Sequence, residues 1–144
     1  MARPGLMTAA AAALFLLAVP ANAEIVRFDV ALSGENQVPP AGTPGLGTLV
    51  ATFDTETNIL SWTVTLEGLT GPATAAHFHG PADPGQNGGV LVPLEGELIS
   101  PIEGNAVLTA EIAAALMDGM IYLNIHTAAF PGGEIRGQLL LPTD

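Results

Sequence analysis

Cysteine and lysine are absent from this 144-residue chain, and arginine occurs only at positions 3, 27 and 136. Without cysteine there is no disulfide framework, no thiolate metal site, no lipidated cysteine anchor and no cysteine nucleophile. Against three cations stand 14 acidic residues, a formal charge of -11. Binding nucleic acid through phosphates needs clustered Lys and Arg, so that partner is excluded, as is a polybasic membrane-surface patch. Charged residues make up 12% and form no blocks, which argues against disorder by self-repulsion. So low a charge content would suit a membrane protein, but no window after the N-terminus is apolar for long enough to span one. One small folded domain remains.

The N-terminus accounts for part of the unusual composition. Arg3 precedes an apolar run from Met7 to Val19, Pro20 breaks it, and Ala21-Asn22-Ala23 has the small-x-small pattern of a signal-peptidase site. The run is short for a hydrocarbon core of about 30 Å. A signal peptide at 1–23, cleaved after Ala23, is therefore expected, and with it a periplasmic or extracellular destination without a membrane anchor in the mature form. Residues 24–144 would be a single β domain, keeping all 14 acids against only Arg27 and Arg136.

Two-residue alternation dominates the chain after Ala23. Val26, Phe28, Val30 and Leu32 oppose Arg27, Asp29, Ala31 and Ser33; Leu60, Trp62, Val64 and Leu66 oppose Ser61, Thr63, Thr65 and Glu67. Both are patterns of half-buried antiparallel strands. Shorter candidates are 47–53, 73–79, 90–94, 105–109, 120–127 and 134–141, separated by turns rich in Gly and Pro. The spacing predicts an all-β fold, an antiparallel immunoglobulin-like sandwich or Greek-key barrel of about eight strands. One short helix is expected near 110–118, with Thr109 as N-cap, Glu111 in the first turn and Gly119 at the stop. Ile112, Leu116 and Met117 would face the core.

All three histidines fall on expected strands. His77 and His79 share a face, because residues i and i+2 of a strand do, so both imidazoles can close on one ion. His126 shares its face with Tyr122 and Asn124. If the two strands are neighbours, three imidazoles meet, a set that suits copper or zinc. A fourth position would fall to water, a substrate or a carboxylate such as Asp83 or Glu134, with Asn124 and Tyr122 as further ligands or supports. Histidines on a wet strand face are equally read as polar residues with hydrogen-bond partners, and both readings stay open. Glu134 and Arg136, two apart on the last strand, suggest either a structural ion pair between Arg136 and a nearby acid or a cation steering an anion toward the histidines. No nucleophile elbow, phosphate loop or EF-hand pattern is present.

Four motifs carry a resemblance. They are Leu32-Ser33-Gly34-Glu35-Asn36-Gln37-Val38-Pro39-Pro40, the run from Gly68 through His77-Phe78-His79-Gly80, Tyr122-Leu123-Asn124-Ile125-His126-Thr127, and Phe130 to Leu139. In this order they resemble the CHRD domain, named for an extracellular protein, chordin, and also found in exported microbial proteins. The resemblance implies an extracytoplasmic all-β module and no reaction. More locally, the strand holding His77 and His79 is similar to the one that supplies two copper ligands in copper–zinc superoxide dismutases. This chain lacks the further histidines of a bridged second metal and the stabilising disulfide of that family. The expectation is thus a non-catalytic exported module, with one mononuclear copper or zinc ion on His77, His79 and His126. The alternatives are a copper-dependent, dismutase-like redox enzyme, and an interaction domain without metal. No motif identifies a partner protein.

Overall fold

Each expected alternating segment becomes a strand with one face turned inward. The computed structural model describes residues 22–143, so nearly all of the expected leader at 1–23 lies outside the described residues. The elements are β1 (Ile25–Ser33), β2 (Leu46–Asp54), β3 (Ile59–Glu67), β4 (Ala73–Gly80), β5 (Gly89–Pro93), β6 (Ile102–Val107), α1 (Ala110–Met117), β7 (Ile121–Thr127) and β8 (Ile135–Leu139). The strands form one antiparallel sheet in the order β5-β4-β7-β8-β1-β2-β3-β6.

The sheet curls almost into a barrel. Trp62 on β3 and Phe78 on β4 meet edge to face at 5.3 Å between ring centroids, although four strands separate them in the sheet order. Phe28, Leu32, Leu49, Phe53, Leu60 and Val64 fill the interior with Phe78, Leu123, Ile125 and Ile135, all at most 2% exposed. That is the barrel alternative of the two expected architectures.

Strand β6 begins three residues earlier than its alternation suggests, because Gly104 interrupts the apolar pattern. It pairs directly with Trp62, and a Cβ there would lie 2.8 Å from the indole. A missing side chain is what lets the strand pass over the ring. In α1 the Thr109 side chain accepts a hydrogen bond from the Ile112 N–H at 3.3 Å, as an N-cap should. Leu116 and Ala113 are buried, while Ile112 and Met117 pack partly against the core. Thr109→Ala is expected to cost about 1 kcal/mol, read as a lower urea midpoint with an unchanged slope.

One departure from simple alternation positions the site. Strand β7 is buried on both faces: Ile121, Leu123 and Ile125 point inward, while Tyr122 and Asn124 are covered on the outside at 2% and 4% exposure. The cover comes from loops, including the 3-10 turn Gly34–Asn36 and the segments after β4 and β7.

Candidate metal centre

Strand β4 puts Ala76 and Phe78 into the core, so His77 and His79 must point outward. Its neighbour is β7, in a register that sets Ala75 opposite His126, His77 opposite Asn124 and His79 opposite Tyr122. The three imidazoles therefore meet on the outer face, and one ring nitrogen from each lies within 4.8 Å of the others. His77 Nδ1 and His126 Nε2 are 3.2 Å apart. Two nitrogens bound at about 2.0 Å in a tetrahedral site lie about 3.3 Å apart. The spacing fits.

Backbone carbonyls fix two of the tautomers. His79 Nδ1 meets the Gly88 carbonyl at 3.0 Å, and His126 Nδ1 meets the Pro131 carbonyl at 2.9 Å. A carbonyl can only accept, so each Nδ1 carries the proton and each neutral ring presents a lone pair at Nε2. Such bonds from the non-ligating nitrogen commonly orient metal-binding histidines. His79 Nε2 is buried and has no hydrogen-bond partner. An orphaned buried acceptor carries a penalty of about 1–3 kcal/mol. Burial, and next the closeness of His126, lowers the His77 pKa; burial lowers that of His79 despite the opposing Gly88 bond. Both shifts favour the neutral imidazole, the form that ligates.

The CHRD domain family model matches residues 28–139. The chain belongs to the CHRD domain family. No curated protein and no solved structure matched it.

The remaining expected site residues of this CHRD domain are not part of the histidine cluster. Asp83 is exposed and outside the histidine cluster. Glu134 is also outside it, fully buried, with Oε1 accepting from the Thr43 hydroxyl at 2.6 Å and the Thr70 N–H at 2.9 Å. Its Oε2 accepts from the Thr70 hydroxyl at 3.0 Å. The carboxylate thus ties two loops to the start of β8 and is no ligand. Asn124 is committed as well: its Oδ1 accepts from Gln37 Nε2 at 2.7 Å and its Nδ2 donates to the Gly132 carbonyl at 3.2 Å. It supports the turn that carries Pro131. Gly133 follows at φ +128, where a Cβ would collide with the Asn124 amide, so glycine is required there.

Tyr122 stacks on His79, with centroids 5.1 Å apart and planes 7° from parallel. Its hydroxyl accepts from the Gly88 N–H at 3.0 Å and donates to the Gly88 carbonyl at 3.2 Å, holding the group that His79 needs. Arg136 covers the Tyr122 ring at 3.5 Å from its centroid. Neither expectation for Arg136 matches its surroundings. The one ion pair among the described residues is the exposed Arg27–Asp29 contact, and a guanidinium only 2% exposed is too enclosed to steer an anion from solution. Arg136 instead donates to the Gln86 carbonyl and to Asn87 Oδ1, closing the 81–88 loop over the site. Gly88 lies outside the motifs quoted above, and Gln37 and Pro131 stand within them without a side-chain chemistry that marks them as site residues. For Gly88 and Pro131 the signal is the Gly/Pro-rich turn after each histidine strand, which supplies acceptor carbonyls only once the turn has folded back.

Proposed function

We propose that this CHRD domain is an exported, non-catalytic binding module that holds one copper or zinc ion on His77, His79 and His126. The observation that carries it is the buried, unpartnered Nε2 of His79 beside two imidazoles with nitrogens at ligand spacing. Nitrogen donors without thiolate or carboxylate suit copper and zinc better than magnesium, calcium or manganese. His77 and His126 are half-buried, which leaves solvent a route to a fourth position. Export rests on the pattern of residues 1–23; N-terminal sequencing of protein from the native compartment is expected to begin at Glu24. No helix among the described residues is long and apolar enough to cross a membrane.

Metal analysis of that protein, with titration calorimetry of the stripped form, tests the reading. One equivalent of copper or zinc supports it; a stripped protein that takes up neither ends it. Tyr122→Phe removes the hydroxyl that grips Gly88 but keeps the stacked ring. It is expected to weaken metal binding about ten-fold at a stability cost of about 1 kcal/mol. Equal affinity in this variant would show that the Gly88 clamp does not orient His79.

A further inference from the structure

Arg136 is the one buried arginine among the described residues, and no acid pairs with it. Its side-chain acceptors, the Gln86 carbonyl and Asn87 Oδ1, are both neutral. A guanidinium stays protonated even when enclosed. The fold thus keeps an uncancelled positive charge beneath the 81–88 loop.

That charge lies beside the histidines. Strands β4, β7 and β8 are consecutive in the sheet, and Tyr122 on β7 stands opposite His79 on one side and Gln138 on the other. Arg136, opposite Asn124, leans across to place its Cζ 3.5 Å from the Tyr122 centroid. The guanidinium from β8 and the stacked His79 imidazole from β4 therefore sandwich the phenol ring. The ring attracts the cation through its π face but carries no net charge to cancel it.

The histidine cluster supplies no negative charge either. Its members are three imidazoles, neutral in the form that ligates, and no carboxylate joins them. An ion held there faces Arg136 across one aromatic ring. Like charges repel more strongly in an enclosed site than in water, and the repulsion scales with the charge of the ion. Cupric ion and zinc feel twice what cuprous ion feels.

Resting on the metal reading above, we propose that Arg136 biases this centre toward monovalent copper, against cupric ion and zinc. Arg136 touches no ion; it is a positioning residue that acts through the ring separating it from His79. One unit of ionic charge at this separation, at the effective dielectric of a protein, is worth about ten-fold in the ratio of the two copper affinities.

The test is the copper potential of the mature domain, obtained from its cuprous and cupric affinities in competition with chelators selective for each state. Asn87→Asp, at an exposed position, sets a carboxylate against the guanidinium and keeps Arg136 itself. It is expected to lower the cuprous preference about ten-fold, a fall of about 59 mV for one electron. Asn87→Ala removes the same amide without adding charge, and its potential is expected to match wild type. Arg136→Gln should repeat the fall, and Asn87→Asp decides the matter should that variant not fold. An unchanged potential in Asn87→Asp overturns the proposal. So does an equal fall in Asn87→Ala, or a parallel weakening of both copper affinities, the mark of a loosened loop. A domain that takes up neither copper ion overturns the metal reading itself, and this inference with it.

Discussion

Excess copper or zinc is expected to raise the melting temperature of the wild-type domain by roughly 15 °C, and His79→Ala to abolish the rise. The size follows from linkage. Free ligand at about a thousand times its Kd stabilises the folded state by about 4 kcal/mol, and each kcal/mol is worth roughly 4 °C in a domain of this length. The loss follows from geometry, because His79 contributes the buried lone pair that has no other partner. Alanine also removes the stack on Tyr122, so the metal-free variant should melt lower than the metal-free wild type. His79→Phe separates the two effects. Phenylalanine keeps an aromatic ring against Tyr122 and replaces the orphaned nitrogen with carbon, at the loss of the Gly88 bond. Its metal-free stability is expected within about 1 kcal/mol of wild type, with no response to metal. A persistent shift in His79→Phe would exclude His79 as a ligand. Absence of a shift in the wild type would leave the histidines as structural groups.

Glu134→Ala is expected to destabilise the domain by about 3 kcal/mol, because it removes three hydrogen bonds to a buried carboxylate and strands their donors. The residue also gives the domain a pH signature. Burial alone would raise the Glu134 pKa, but the bonds from Thr43 and Thr70 outweigh it and lower the pKa below its ordinary value. A carboxylate lowered by folding adds stability that is fully present above its unfolded pKa, about 4.3. That stability is lost as pH falls from there through the folded-state value. Urea unfolding from pH 6 to pH 3 should therefore show a steeper loss in wild type than in Glu134→Gln, whose amide does not titrate. Parallel curves would mean that folding leaves the Glu134 pKa unchanged, and a shallower loss in wild type that folding raises it. The exposed Asp29 and the half-buried Asp54, also lowered by hydrogen bonds, remain in both proteins and cancel in the comparison.

Much of the scaffold was legible because period-two burial leaves a direct trace in side-chain polarity. β1 occupies the expected 25–33, α1 starts at its Thr109 cap, and the other strands deviate mostly by a residue or two. Strand β6 was blurred where Gly104 clears space for Trp62. Whether the strands made a sandwich or a barrel was not decidable, since that depends on contacts such as Trp62 with Phe78 across the curled sheet. At the site, the shared face of His77 and His79 is a local consequence of strand geometry, and His126 followed once β7 paired with β4. The partners of Glu134 and Arg136 were not legible. Their hydrogen-bond partners lie at least 49 positions away in the chain, or are main-chain carbonyls that look alike in any sequence. Charge pairing was the natural expectation for two oppositely charged neighbours on a strand, and burial under separate loops defeated it.

The contact that closes the barrel also makes the molecule its own optical probe. Trp62 is the single tryptophan of the chain, and it rests against Phe78, the residue between the two histidines of β4. Its indole N–H is buried without an acceptor, so its emission should lie toward the blue, as for an apolar surrounding. A paramagnetic cupric ion on the far side of that strand should quench the emission, whereas zinc should leave its intensity nearly unchanged. Fluorescence can thus distinguish the two ions without a label.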